Sequence, residues 1–119
     1  MKRIVLVALA VTVAAVMSAA PAGAGSNAQV LKFVTASGLK YNVKVVKASA
    51  GKVTIKYTNN SGIQHDVTIA KGSKKIGGTK ILTKGTATTT VKLAKGTYTF
   101  YCSVDSHKAA GMVGTLKVS

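Results

Sequence analysis

The 119-residue chain has one cysteine, one proline, no tryptophan, two histidines and two acidic residues, against 17 lysines and arginines. One cysteine cannot form an internal bridge, so no disulfide supplements the core. The proline, Pro21, sits near the N-terminus, leaving the rest of the chain free of residues that cannot donate to a strand ladder. Arginine occurs only as Arg3, and the aromatics are four tyrosines and two phenylalanines. Sequence-specific nucleic-acid binding draws on arginine's bidentate fork and on stacking platforms, so the sequence predicts no specific nucleic-acid partner. There is no long apolar run either. Ile4 to Met17 is shorter than the roughly 20 residues needed to cross a bilayer. Flanked by Lys2 and Arg3 and by the A-x-A site Ala22-Gly23-Ala24, it reads as a secretory signal over residues 1–24, leaving one small exported domain over residues 25–119.

What is abundant is positive charge. The formal net charge is +15, and removal of Lys2 and Arg3 leaves 15 lysines against Asp66 and Asp105, or +13. Such a field speeds encounter with acidic partners and suits an anionic membrane surface. The competing explanation is that the lysines are solvated strand faces that keep sheet edges from aggregating.

The residues beyond the leader alternate with period two. Leu39, Tyr41, Val43 and Val45 interleave with Lys40, Asn42 and Lys44, and Val53, Ile55 and Tyr57 with Lys52, Thr54 and Lys56. Turn signals fall at Ser37-Gly38, Ala50-Gly51, Asn59 to Gly62, Lys71 to Ser73, Gly77-Gly78, Lys84-Gly85 and Lys95-Gly96. About seven or eight short strands without a long helix predict an all-β antiparallel sandwich.

The scarce residues then form a pattern. Cys102 is followed at equal steps by His107 and Met112, and the only other histidine, His65, lies upstream. Taken singly, each has an ordinary reading: a buried inert thiol, a core histidine, an exposed loop histidine, a core methionine. Strand parity argues against coincidence. His65 shares a face with Ile63, Val67 and Ile69; Cys102 with Tyr98 and Phe100; Met112 with Gly114, Leu116 and Val118. Three candidates thus point into one interior, with His107 on the loop between. One thiolate, two imidazoles and a thioether are the donors of a trigonal copper site with a weak axial methionine. Zinc competes for cysteine and histidine, but thioether is a poor zinc ligand.

The run Tyr98-Thr99-Phe100-Tyr101-Cys102-Ser103, with His107 and Ala110 to Leu116, resembles the copper loop and last strand of plastocyanin-like cupredoxins. Asn59 to Val67 resembles the segment bearing that family's first histidine ligand. The resemblance implies a Greek-key β-sandwich with one type 1 copper, His65, Cys102 and His107 as equatorial ligands and Met112 as axial ligand. This chain departs from the family in two places. The four residues between Cys102 and His107 include no proline, and Asp66 stands where asparagine is common. The Asp66 carboxylate is expected to accept hydrogen bonds from Ser103 and backbone N–H groups, and its charge to favour Cu(II).

These readings predict a monomeric one-electron carrier rather than an enzyme, exchanging electrons through His107 with redox proteins that present an acidic docking surface. Lysines 71, 74, 75, 80 and 84 are candidates for steering such a partner. Copper storage, delivery or resistance is the alternative, and a cationic binding module on the same scaffold is a third.

Overall fold

The computed structural model describes residues 29–119; the expected leader lies outside them. Eight strands form in chain order: β1 (Gln29–Thr35), β2 (Val45–Ala48), β3 (Gly51–Asn59), β4 (Thr68–Lys71), β5 (Lys74–Gly78), β6 (Gly85–Leu93), β7 (Gly96–Tyr101) and β8 (Val113–Val118). They make a three-stranded sheet in the order β1-β3-β6, here sheet A, and a five-stranded sheet in the order β2-β8-β7-β4-β5, here sheet B. The result is the expected all-β Greek-key sandwich, but not a wholly antiparallel one, because β1 runs parallel to β3 and β2 runs parallel to β8. Among the described residues no helix is long and apolar enough to cross a membrane.

Alternation decides which face is buried. In β3, Val53, Ile55, Tyr57 and Asn59 are buried, whereas Lys52 and Lys56 are exposed. The same phase places Phe33, Val91, Leu93, Tyr98, Phe100 and Leu116 inside. An aromatic cluster fills the centre: Phe33 and Phe100 meet edge-to-face at 4.9 Å between centroids, and Tyr41 meets Phe100 at 5.5 Å and Tyr57 at 5.9 Å. Such pairs contribute roughly 0.5–1.5 kcal/mol each beyond area burial. Their hydroxyls are satisfied, Tyr57 donating to Thr35 Oγ1 at 2.7 Å and Tyr41 to the Asp66 carbonyl.

Three local expectations change. The alternating stretch from Leu39 to Lys44 is not a strand: Tyr41 is buried, but β2 begins only at Val45, itself 55% exposed. Asn42 accounts for this, because its N–H and side-chain carbonyl both bond Val34, at 2.9 Å each, in place of a ladder. Gly77-Gly78 ends β5 instead of turning the chain; a Cβ on Gly78 would lie 2.8 Å from the Val67 carbonyl, so the glycine serves close packing. Finally, the steering lysines separate. Lys80 and Lys84 flank Leu82, which bridges to His65, whereas Lys71, Lys74 and Lys75 lie at the β4–β5 turn, at the opposite end of the sandwich.

Candidate metal centre

All four candidate residues gather at one end of the sandwich. Cys102 follows the last residue of β7, buried, and Met112 precedes the first residue of β8, with no exposure at all. The ends of the loop between them are stitched together: Cys102 N–H donates to the Met112 carbonyl at 3.1 Å, and Met112 N–H to the His107 carbonyl at 3.0 Å. His65 arrives from the other side and is not within a strand. It forms an isolated antiparallel bridge with Leu82, through bonds of 3.0 and 2.8 Å. The strand predicted through His65 therefore starts later, at Thr68, and Ile63 is 42% exposed instead of sharing the buried face.

The donor atoms converge. His65 Nδ1 and His107 Nδ1 are 3.1 Å apart, and Cys102 Sγ lies 3.8 and 3.5 Å from them. These gaps are those spanned by pairs of metal–ligand bonds of about 2.0–2.3 Å meeting at about 100–120°. The cluster His65, Cys102 and His107 has all its donor atoms within 4.8 Å of one another. Two imidazoles and a thiol so disposed, with the buried Met112 bonded through its backbone to two of their residues, fit a single type 1 copper ion.

Neighbouring groups orient these donors. His65 Nε2 lies 2.9 Å from the Gly38 carbonyl. A carbonyl only accepts, so in the neutral ring the proton sits on Nε2 and the Nδ1 lone pair faces the cluster. The sequence marked Gly38 as a turn, with nothing to show what its carbonyl would meet. Asn59, which the sequence places at a turn and at the start of the segment leading to His65, is fully buried. Its Nδ2 donates to the Ile63 carbonyl at 2.7 Å and the Leu82 carbonyl at 2.6 Å, while its Oδ1 accepts from Ser61 N–H and Oγ at 3.0 and 2.7 Å. All four of its hydrogen-bonding positions are used, and they tie the approach to His65 to the segment it bridges. Asp66 behaves as expected: Oδ1 accepts from Ser103 N–H at 2.7 Å, and Oδ2 accepts from the hydroxyls of Ser103 and Thr68.

The proline-free loop is held by its own backbone. His107 N–H donates to the Val104 carbonyl at 3.1 Å, Ala110 to Ser106 at 3.0 Å and Gly111 to Lys108 at 3.1 Å. Asp105 has φ of 41°, and aspartate is among the few non-glycine residues that occupy this left-handed region readily. A coiled turn with successive hydrogen bonds thus replaces ring rigidity.

Burial favours the neutral forms of His65 and Cys102. It lowers the His65 pKa from its ordinary 6.5, assisted by the neighbouring His107 and opposed by the Gly38 bond. Burial also raises the Cys102 thiol above 9.0, opposed by the backbone N–H groups of Asp66 and Val104. Both shifts contribute to the pH dependence of the metal-free protein. Below about 6.5 the unfolded chain takes up a proton at His65 that the folded state resists, so stability is lost as pH falls toward the folded-state value. Above about 9.0 the unfolded thiol ionises first, so stability is lost as pH rises toward the raised value. Urea midpoints of the metal-free protein should form a plateau between these limits and decline on both sides. A midpoint unchanged by acidification well below 6.5 would contradict the neutral, buried state of His65.

Known structures share this fold. The solved structure of dithionite-reduced auracyanin from Roseiflexus castenholzii superposes with a TM-score of 0.72 at 25% identity, covering 77% of this chain and 98% of that one. Auracyanin A, a "blue" copper protein from Chloroflexus aurantiacus, gives 0.66 at 22% identity over 76% and 98% of the two chains. An azurin from Methylomonas sp. strain J gives 0.66 at 18% identity over the same shares. No curated protein matches the chain. Residues 28–119 match the family model for copper binding proteins of the plastocyanin/azurin family, and the chain belongs to that family.

Proposed function

We propose that the protein is an exported one-electron carrier in which His65, Cys102, His107 and Met112 would hold a type 1 copper. The observation that carries this reading is the convergence of three donors within 4.8 Å, with the His65 lone pair turned inward by Gly38. Copper supplies a reversible one-electron couple when bound, since imidazole and thiolate suit Cu(II) and thiolate with thioether suits Cu(I). The chain's part is to hold one donor arrangement for both oxidation states. The Asn59 network, the Ser103–Asp66 bonds and the stitched loop all resist rearrangement, which favours electron transfer over the ligand exchange needed for copper delivery.

His107 is the proposed electron port. Its Nδ1 faces Cys102, so the opposite ring edge points away from the cluster, and the residue is half-buried beside exposed Ala109 and Ala110. Ile63 and Ile81, 42% and 51% exposed, adjoin the His65 segment and widen the apolar ground around it. Lys80, Lys84 and Lys108 border this end, which suits a redox partner with an acidic docking surface. Ala110→Glu should slow electron self-exchange at least tenfold and leave the visible spectrum unchanged, as measured by NMR line broadening in mixed oxidation states. Unaltered exchange would remove His107 as the port. A site that binds copper without a reversible potential would instead support copper handling.

Asp66 sets a second measurable property. Its carboxylate joins the segments carrying His65 and Cys102 and favours the more positive metal state. Asp66→Asn retains an acceptor for Ser103 N–H and removes one charge, contributing on the order of 2 kcal/mol at an effective dielectric near 20, or about 100 mV for a one-electron couple. Voltammetry should show the potential rising. A potential that stays fixed or falls would show that the Asp66 charge is fully compensated.

A further inference from the structure

The copper site uses one end of the sandwich and leaves the outer face of sheet A unassigned. Four lysines stand on that face. Lys32 lies directly opposite Lys56 across β1 and β3, and Lys52 directly opposite Lys92 across β3 and β6; all four are exposed. Like charges in register are unfavourable in a sheet. Protection of edges against aggregation could explain Lys32 on β1 and Lys92 on β6, but not Lys52 and Lys56, which lie on β3, the central strand of sheet A. No carboxylate relieves the repulsion on this face. The only two acidic residues, Asp66 and Asp105, lie beside β4 and β7 of sheet B.

We infer that the outer face of sheet A is a docking plate for an anionic lipid surface. The charges spread in two dimensions, roughly 10 Å across three strands and 13 Å along β3. That pattern fits a plane of headgroups better than a single polymer strand, which would be tracked by a groove. Between the two lysine pairs Thr54 and Thr90 face each other with their hydroxyls hydrogen-bonded at 3.2 Å, which leaves one hydroxyl proton to donate to phosphate. Val30, 47% exposed, lies on the same face in register with Thr54 and supplies an apolar contact at its rim. The face has no aromatic residue on which sugars or bases would stack.

The geometry has a functional consequence. With the plate on a membrane the strands run parallel to the surface, and the end bearing His107 points sideways. The carrier would diffuse in two dimensions with its port free. The plate does not depend on copper, so its failure and that of the electron-transfer reading are separable.

Co-sedimentation with vesicles tests the inference. Binding of the full chain is expected with mixed phosphatidylglycerol–phosphatidylcholine vesicles and not with phosphatidylcholine alone, and it should weaken steeply with salt. Each lysine near an anionic surface is worth about fivefold, so K32Q/K52Q/K56Q/K92Q should lower vesicle affinity about a hundredfold or more. The control K47Q/K74Q/K75Q/K117Q removes the same charge from sheet B and should cost far less. The Cys102→Ala chain should bind vesicles like the parent. Equal losses in the two quadruple variants would reduce the effect to net charge and overturn the plate. Failure of the parent chain to bind, or tighter binding to a soluble sulfated polysaccharide than to the vesicles at the same salt, would overturn the lipid assignment.

Discussion

Cys102→Ala is expected to give a folded protein that stays colourless through a Cu(II) titration. The parent, titrated in the same way, should develop an intense visible thiolate-to-copper band at one equivalent. The thiolate is the donor no neighbour can replace, because Cys102 is the only cysteine in the chain. Loss of orienting neighbours alone typically costs a metal site 10–100-fold in affinity, so loss of the strongest donor should cost more than about a hundredfold. The fold should survive. Cys102 lies just beyond β7, and removing one buried sulfur costs about 1 kcal/mol, well within the stability of a typical domain. Metal-free parent and variant should therefore melt within a few degrees of each other. A coloured complex in the variant would dismiss this ligand set, and a colourless complex in the parent would dismiss the type 1 assignment.

Gly114→Ala should produce the largest stability loss of any single methyl addition in sheet B. A Cβ at this position would lie 2.1 Å from Phe100 Cζ and 2.6 Å from the Lys44 carbonyl oxygen. Neither neighbour has room to move. Phe100 is fully buried and wedged against Phe33 and Tyr41, and the Lys44 carbonyl accepts the Thr115 N–H at 2.9 Å. Overpacking of this kind costs about 1–3 kcal/mol, and the absence of slack places it at the upper end, a fall in Tm of roughly 10–20 °C. The damage should also reach the metal. Gly114 pairs with Phe100 two residues after Met112, so displacing β8 moves the axial candidate against Cys102. Thermal unfolding with the visible spectrum of the same variant checks both effects; an unshifted Tm would mean that Phe100 is free to swing aside.

Much of this site was legible because its residues are rare and their periodicity is strict. Period two needs only the alternating Cβ directions of an extended chain, so the inward placement of Cys102 and Met112 followed from their neighbours in β7 and β8. The same rule misled around His65. There the backbone leaves the ladder and forms a single bridge to Leu82, and Ile63 turns outward. It misled again from Leu39 to Lys44, where the burial of Tyr41 alternates as in a strand but Asn42 supplies the hydrogen bonds.

By itself the sequence determined the fold class, the donor types and the absence of any disulfide, because these depend on composition, alternation and the pairing of scarce residues. Only the tertiary structure decided which atoms meet. Gly38 and Asn59 orient the site through a carbonyl and a carboxamide whose partners lie 27 and up to 23 residues away, contacts that no local pattern encodes. Charge shows the same division. The excess of lysine is visible in the sequence, but strand order separates Lys71, Lys74 and Lys75 from the metal end and sets Lys32, Lys52, Lys56 and Lys92 together on one face. Electrostatic action depends on distance in space, and distance in space is fixed by sheet topology.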